Sequence, residues 1–316
     1  MGRFVVRRLL SMIIVLFAIS VLTVLIFQTI PNGDPAIRLA GRTATKENVE
    51  TVRRTWGFDK SLPEQYWLTI KKIATGDVIS YTQALNVEDE IKRDLPVTMS
   101  LAIGAGIIWL FFGIVFGVLS ALFAGRWLDR SLTVLSLIGI STPVFFLGAV
   151  MLYFLAFKWK LFPNGGYVNF TDDPIEWLKH LILPWTALSV LFIGFYSRVL
   201  RSNILDTINE DYVRTARAKG ISERRVIIRH VVRNSLIPII SLWGLDFAAI
   251  IGGGAILTES AFNLPGVGNF AAHSVQALDV PPVLVITMFG AFFVVLLSAI
   301  VDIVYALLDP RIRLGS

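Results

Sequence analysis

The sequence predicts an all-α integral membrane protein with six transmembrane helices, an external subdomain between helices one and two, and a cytoplasmic loop with a short helix between helices four and five. Of the 316 residues, 55% are hydrophobic and only 16% are charged, which is not the composition of a soluble domain. The apolar residues are also collected in six runs of about 20 residues or more, each long enough to cross about 30 Å of hydrocarbon as a helix. The runs are 9–30, 97–124, 131–157, 181–200, 236–257 and 283–308.

The first run follows three arginines and therefore resembles the start of a signal peptide. Its apolar stretch is too long for the hydrophobic region of such a peptide, and no A-x-A-like cleavage site occurs before Pro31. We therefore predict that residues 1–30 are a cytoplasmic N-terminal end followed by an uncleaved first transmembrane helix.

Charge is distributed unequally between the two sides of the predicted bundle. With the N-terminus inside, the cytoplasmic segments and Arg198 hold sixteen Lys/Arg against six Asp/Glu, whereas the opposite side holds thirteen against fifteen. Basic residues are enriched in short cytoplasmic loops, so this excess predicts that both termini are cytoplasmic. The net charge of +6 is thereby explained by membrane topology and membrane lipid, and we expect no nucleic-acid partner.

Residues 31–95 are predicted to form the external subdomain, and residues 96–316 the membrane core, with helices two to six and the cytoplasmic loop 201–235. Val49, Val52 and Trp56 recur at helical spacing, as do Trp67 and Ile70. The second set lies among basic residues, as in a helix that lies in the membrane interface. The subdomain either meets a soluble protein or is a spacer that shields the bundle, and the sequence leaves both open.

Two apolar runs contain residues that interrupt a helix. Proline removes a backbone donor and kinks a helix, whereas consecutive glycines either allow close packing or mark a break. Discontinuous helices line transport paths, so these positions are candidates for a pathway or gate. They are Pro143, Gly252, Gly253 and Gly254.

The loop between helices four and five predicts two short helices. The first spans about Glu210 to Lys219, with acidic residues at its start and basic residues at its end, as the helix dipole favours. Gly220 suits the left-handed position that follows a helix, and Ser222 can cap a second helix, about Glu223 to Asn234. A docking site for another protein and a basic loop that only sets topology both fit this pattern.

The stretch RTARAKGISERRVIIRHVVRNSLIP, 214–238, resembles the cytoplasmic loop of the membrane subunits of ATP-binding-cassette (ABC) importers, whose consensus is E-A-A-x-x-x-G. Thr215 and Ala216 stand for the two alanines, Gly220 for the glycine, and Arg214 replaces the glutamate, as is common in the dipeptide/oligopeptide branch. Other stretches resemble the first-permease type of that branch in the same order. They are IPNGDP (30–35), TGDVISYT (75–82), DLPVTMSLA (94–102), STPVFFLG (141–148), LFPNGG (161–166), HLILPWTALS (180–189), ESAFNLPGVGNF (259–270) and LLDPRIR (307–313).

The resemblance implies a permease subunit of an ATP-driven importer in a bacterial or archaeal cell membrane, most closely one for di- or oligopeptides. It implies four kinds of partner: a homologous second permease, two ABC ATPase subunits, an external substrate-binding protein and membrane lipid. It also implies that the 214–220 helix couples the chain to an ATPase subunit. The coupling residues would be Arg214, Thr215, Ala216, Arg217, Lys219 and Gly220.

The residues themselves predict no catalysis in this chain. There is no G-x-x-x-x-G-K-[ST] phosphate-binding loop and no cysteine, and the three histidines, His180, His230 and His273, are too scattered to form a metal or catalytic site. We therefore expect no cofactor and no metal here, with ATP and Mg²⁺ bound by the partner subunits. Asp246 and Asp302 lie within apolar runs, and we interpret both as structural because a proton-coupled carrier usually has several such groups.

The external stretch AFNLPGVGNF suits a re-entrant turn buried near the mouth of a pathway, because Pro265, Gly266 and Gly268 lie between apolar groups. Gating and simple loop packing are both open for this turn. Polar side chains within or beside the spans that could line a pathway are Thr98, Ser100, Ser141 and Ser189.

Two alternatives from other classes remain at the level of sequence. One is a secondary carrier driven by an ion gradient, which the sparse intramembrane charges disfavour. The other is a membrane protein that docks a partner at 214–225 without transporting anything. The sequence leaves the cargo open among dipeptides, longer peptides, nickel chelates, haem and glycans.

Overall fold

The computed structural model describes the backbone of residues 2–29, 34–41 and 44–308, and the side chains of residues 6–27, 34–37, 39–41 and 44–303. Most of the motif at 30–35, the end of the motif at 307–313 and the predicted cytoplasmic segment 309–316 lie outside these ranges. The described chain forms two compact units: residues up to 99 with 248–300, and residues 100–247 with those from 301 onward.

Among the described residues, five helices are long and apolar enough to cross a membrane, and a bent pair makes a sixth crossing if it counts as one span. The spans are Val6–Phe27, Val87–Leu122, Pro174–Thr207, Glu223–Gly254 and Val280–Ile303, with the pair Trp127–Ser141 and Val144–Lys158. The predicted all-α membrane fold is therefore confirmed. Helix α1 is Gly2–Val24, continued by a π-helical turn, Leu25–Thr29.

The predicted external subdomain follows α1, and its described residues form three helices and a short hairpin. The helices are α2 (Pro35–Ala40), α3 (Lys46–Trp56) and α4 (Leu62–Thr75), and the antiparallel strands are β1 (Ile79–Ser80) and β2 (Leu85–Asn86). Both predicted helices are present. Thr45 accepts the Asn48 N–H at the start of α3, Ser61 begins α4 with a capping box, and left-handed glycines end both helices.

The subdomain shares its hydrophobic core with the C-terminal part of the first unit. Trp56 and Val52 of α3 are buried in one cluster with Phe270 and Leu284, which belong to α13 (Val267–Gln276) and α14 (Val280–Leu308). The hairpin is also tied to the start of α14, since Ser80 donates a hydrogen bond to the buried carboxylate of Asp279. These contacts fix the subdomain to the N-terminal end of α14.

The second unit begins within α5 (Val87–Leu122) and contains α6 (Trp127–Ser141), α7 (Val144–Met151) and α8 (Pro174–Thr207). A π-helical segment, Leu152–Lys158, continues α7. Helices α6 and α8 pack closely because Gly194 leaves room for the backbone of Ser136, and the hydroxyls of Ser136 and Ser197 lie 2.8 Å apart. Small residues thus allow close helix packing, as expected in membranes.

The third span breaks at the predicted proline, but far more sharply than a kink. Helices α6 and α7 meet at 99°, because Thr142 (φ −90°, ψ 118°) and Pro143 (φ −60°, ψ 134°) are both extended and α7 begins only at Val144. A residue before proline is disfavoured in the helical region, so the break begins one residue before the proline itself.

The fifth span begins earlier than expected. The predicted separate helix Glu223–Asn234 is instead the first part of one continuous helical run, formed by α10 (Glu223–Val226), a π-helical segment (Ile227–Val232) and α11 (Arg233–Ala249). It ends in a π-helical turn, Ile250–Gly254, followed by the short helix α12 (Ile256–Ala261). The loop between the fourth and fifth spans, predicted as 201–235, is therefore shorter than expected.

Candidate functional site

The predicted first loop helix is present as α9 (Asp211–Ala218), eight residues long. Glu210 is its extended N-terminal cap and Lys219 follows its last turn. Gly220 has a φ of +75°, in the left-handed region that glycine adopts without penalty. Its N–H donates to the Arg217 carbonyl at 2.9 Å, so Gly220 takes the left-handed position after the helix, as predicted.

Helix α9 has one face on its own protein and one face exposed. Val213 and Ala216 are buried, so Ala216, expected to face a partner, packs within this chain. The exposed residues are Asp211, Tyr212, Arg214, Thr215, Arg217, Ala218, Lys219 and Gly220. Five of the six predicted coupling residues therefore lie at the surface, where a partner can reach them.

Arg217 ties α9 to the start of the fifth span. Its guanidinium donates two hydrogen bonds to the carboxylate of Glu223, at 2.7 and 3.1 Å. Tyr212, on the first turn of α9, donates to the His230 carbonyl at 3.3 Å and accepts from the Asn234 amide at 3.0 Å. A displacement of α9 would therefore be passed directly to the α10–α11 helix.

The fourth span is joined to the same region. Ser235 donates to the Asn203 carbonyl and lies 3.1 Å from the Thr207 hydroxyl, which links the end of α8 to α11. Ten residues before α9, Arg201 makes a bidentate ion pair with Asp129 of α6, at 2.7 and 2.8 Å. Asp129 also accepts hydrogen bonds from Ser120 and from the Gly125 N–H.

The exposed surface of this loop is basic. Arg214 is 68% exposed and lies 3.6 Å from Asp211, whose side chain is 98% exposed. Further exposed basic residues lie on the following helix, namely Arg224, Arg225, Arg229 and Arg233. The surface thus offers positive charge to an acidic partner.

In the first unit, the glycine run and the external turn lie close to one buried carboxylate. Helix geometry is lost at Gly253 (φ 131°, ψ −6°), so the predicted interruption is present. Beyond α12, Leu264 and Gly266 are buried and Pro265 is exposed as the chain turns into α13. The turn is packed against protein, as expected.

Glu259 of α12 is fully buried and was not singled out from the sequence. It accepts hydrogen bonds from the Thr98 hydroxyl at 2.7 Å and from the Asn269 N–H at 2.9 Å, and burial raises its pKa to about 7. A Cβ at Gly266 or Gly268 would lie within 3 Å of its carboxylate. The two predicted glycines are therefore needed for the close approach of this turn to Glu259.

Other polar candidates for a pathway have partners within the fold. Thr98 donates to Glu259 and accepts the Val267 N–H at 3.0 Å. Ser189 donates to the Ala105 carbonyl at 3.1 Å, and Ser100 pairs with Tyr167 at the same distance. Ser141 is exposed at the end of α6.

The intramembrane Asp246 accepts a hydrogen bond from Tyr196 at 2.6 Å, which supports its structural interpretation. Across the described residues, no group of three or more His, Asp or Glu side chains is placed to hold a metal ion. Helix α9 thus has an exposed basic face and side-chain hydrogen bonds to the fifth span, an arrangement suited to contact with a partner protein.

Two family models match the chain. The family described as "Binding-protein-dependent transport system inner membrane component" matches residues 113–314, and the N-terminal region of such membrane components matches residues 1–102.

Several curated proteins are similar over nearly their full length. A probable peptide ABC transporter permease protein of Sinorhizobium fredii is 36% identical, over 99% of this chain and 100% of the relative. The probable D,D-dipeptide transport system permease protein DdpB of Escherichia coli K12 is 34% identical, over 98% and 97%. The glutathione transport system permease protein GsiC of E. coli O6:H1 is 34% identical, over 99% of both chains.

Among solved structures, a chain of the inward-facing methionine ABC transporter MetNI is similar in fold. It has a TM-score of 0.53 and 15% sequence identity, and the match covers 69% of this chain and 96% of that one.

Proposed function

The chain belongs to the binding-protein-dependent transport system inner membrane components, and we propose that the importer it serves carries short peptides. It is a multi-pass inner-membrane permease subunit of an ABC importer, it works with ATPase subunits and a binding protein, and it is not itself an enzyme. Nucleotide is bound by the ATPase partners.

The observation that carries the peptide proposal is the similarity, end to end, to permeases named for peptide cargo. The relatives from S. fredii and E. coli K12 are named for a peptide and a D,D-dipeptide. GsiC is named for glutathione, which is also a small molecule with amide bonds. Di- and oligopeptides are therefore the cargo to test first.

The coupling proposal assigns α9 to the contact with an ATPase subunit. It is supported by the exposed Arg214, Thr215 and Lys219 and by the ties of Arg217 and Tyr212 to the fifth span. A full transporter would hold this chain, a homologous second permease, two ATPase subunits and the external binding protein. ATP would act by favouring one of two arrangements of the spans.

The pathway proposal assigns the gate to the breaks in the third and fifth spans and to the external turn. Helix geometry is interrupted at Pro143 and Gly253. After the turn, the Val267 N–H donates to Thr98 and the Asn269 N–H donates to Glu259. Residues at such breaks can change their backbone angles with little disturbance of the adjoining helices. The proposed gate therefore contains Pro143 and Gly253, together with Gly252, Gly254, Pro265, Gly266 and Gly268.

The sidedness proposal places both termini and α9 in the cytoplasm. The segments on that side of the bundle contain the excess of Lys and Arg, and such an excess is typical of cytoplasmic loops. A reporter fused after Ser222 is then active only in the cytoplasm, and one inserted within 45–75 only outside it. The opposite pattern of activities would overturn the coupling proposal as well, since ATPase subunits act in the cytoplasm.

The decisive experiment reconstitutes the complex with its partner subunits in liposomes and follows labelled dipeptide uptake. We expect uptake that requires ATP and the binding protein. Uptake driven by an ion gradient without ATP would indicate a secondary carrier, and a complex that assembles but carries no peptide would indicate a different cargo or a docking role.

A further inference from the structure

We propose that a zwitterionic phospholipid binds in an apolar cavity of the first unit, with an acyl chain inside and its headgroup at the Glu88–Lys92 pair. The cavity has a volume of about 670 Å³ and is formed by α1, α4, α5 and α14. Leu16, Ile70 and Met288 are among its lining residues. Volumes of this size are typical of pockets that hold a small molecule.

The polarity of the cavity changes along its length. Its lining extends from Ile13 to Ser20 on α1, from Glu88 to Leu95 on α5 and from Val285 to Phe292 on α14, which is about 10 Å along each helix. The polar lining residues lie at the end near the subdomain, and the deep end is apolar. The polar residues are Ser20, Tyr66, Glu88 and Lys92.

This direction matches a phospholipid in the leaflet on the subdomain's side. The headgroup of such a lipid lies level with the helix ends, and its chains point toward the middle of the bilayer. An apolar ligand arriving from water would not require the polar groups to be collected at one end.

The two hydroxyl groups in the cavity wall, those of Ser20 and Tyr66, are paired and do not oppose a hydrocarbon chain. Ser20 and Tyr66 hydrogen-bond to each other at 2.8 Å, and the Tyr66 ring packs edge-on against Phe17 with 6.1 Å between centroids. Ile13 and Phe17 are 63% and 60% exposed, and exposed apolar side chains of a transmembrane helix face lipid or another membrane helix. An empty cavity would lose dispersion contacts, and water would find few hydrogen-bond partners there. We therefore expect a lipid acyl chain to occupy the cavity.

The rim pair selects the headgroup. The Lys92 ammonium lies 2.6 Å from the Glu88 carboxylate, and the two side chains are 67% and 42% exposed. A headgroup that carries both an ammonium and a phosphate, as phosphatidylethanolamine does, complements both charges. A purely anionic headgroup would meet Lys92 but would be repelled by Glu88 and by the neighbouring exposed Asp89.

The proposal depends only on the chain being a membrane protein and holds whichever cargo is transported. It is tested on the complete transporter, reconstituted in bilayer discs made of equal amounts of phosphatidylethanolamine and phosphatidylglycerol with the same acyl chains. After extraction and repeated detergent washing, the lipid that remains is measured by mass spectrometry. We expect phosphatidylethanolamine to be retained in stoichiometric amount and phosphatidylglycerol to be lost.

Variants identify the cavity as the site of retention. Ile13→Trp fills the cavity and should abolish retention, whereas Ile14→Trp should not, because Ile14 is as exposed on the same helix but does not line the cavity. Ala291→Phe repeats the test from α14 and serves if Ile13→Trp fails to assemble. Lys92→Gln should lower retention about two- to fivefold, and Lys71→Gln on the subdomain surface should leave it unchanged.

Three results would overturn the proposal. One is equal retention of the two lipids. Another is unchanged retention in both cavity-filling variants. The third is loss of the second permease from the complex on Ile13→Trp but not on Ile14→Trp, which would assign the cavity to a protein contact instead.

Discussion

Replacing Gly220 tests whether α9 transmits force, because its effect on the end of that helix can be worked out from the backbone. Gly220 has a φ of +75°, and a Cβ built there meets no atom within 4 Å. A substitution therefore costs conformational energy without a clash. For a residue with a side chain the left-handed region costs about 1–2 kcal/mol, and a β-branched residue lies at the upper end.

That cost is large compared with what holds α9 in place. An eight-residue helix is marginal by itself, and its last turn is closed by the Gly220 and Ile221 N–H groups, which donate to the carbonyls of Arg217 and Ala216. A loss of about 1.4 kcal/mol lowers the population of this turn about tenfold relative to the open chain. A graded series should follow: Asn, which tolerates the left-handed region, is mild, Ala is intermediate and Val is severe.

The assay is the number of ATP molecules hydrolysed per peptide imported by the reconstituted complex. We expect Gly220→Val to raise this ratio while the chain still expresses and assembles. Gly166→Val is the matched control, because Gly166 also has a positive φ (+83°) with open space around it but lies in the loop after the third span. An unchanged ratio in Gly220→Val, or an equal rise in Gly166→Val, would refute the reasoning.

Three further predictions concern charged groups. Arg214→Glu should weaken co-purification of the ATPase subunits, more so at low salt. It should leave the unfolding temperature unchanged, because the ion pair of Arg214 with Asp211 is exposed to solvent and such pairs contribute little to stability. Asp129→Asn should lower the free energy of unfolding by about 3 kcal/mol, measured by denaturation in detergent, because the Arg201 guanidinium loses a bidentate partner. Burial raises the pKa of Glu259 from 4.5 to about 7, so the folded state favours the protonated form. The stabilisation is complete below about pH 4.5 and is lost, by roughly 3 kcal/mol, as the pH rises to 7; Glu259→Gln should remove this slope from the unfolding temperature, and a slope equal to that of the wild type would contradict the assignment.

Features set by neighbouring residues could be predicted from the sequence, and features set by distant residues could not. The end of α9 at Gly220 follows from one glycine after a run of helix formers, and α3 and α4 follow from apolar spacing and capping residues. The bond between Thr98 and Glu259 joins residues 161 positions apart, and no local pattern indicates which polar group a buried carboxylate will meet. A single acidic residue within the apolar stretch ILTESAFNLPG was the one available signal.

The third and fifth spans show the same limit for helix boundaries. Pro143 predicted an interruption of the third span, but the 99° angle between α6 and α7 depends on how these two helices pack. The predicted boundary between a second loop helix and the fifth span was wrong, because the apolar run begins near 236 whereas the helix begins at Glu223. Polar and basic residues such as Arg229 and Arg233 continue a helix readily, so hydropathy marks where the membrane starts and not where the helix does.

The contacts of the second unit explain how a helix of only eight residues could move much larger ones. Arg217 and Tyr212 bind α9 to the α10–α11 helix, Ser235 binds that helix to α8, and Arg201 binds α8 to Asp129 on α6. Each link is a hydrogen bond or ion pair between helix ends. A force on α9 would therefore be distributed over α10–α11, α8 and α6, and would not bend a single helix. The glycine-permitted packing of α6 on α8 leaves little room for the spans to slide past one another. Motion should therefore be concentrated where helix geometry is already broken, at Thr142–Pro143 and at Gly253.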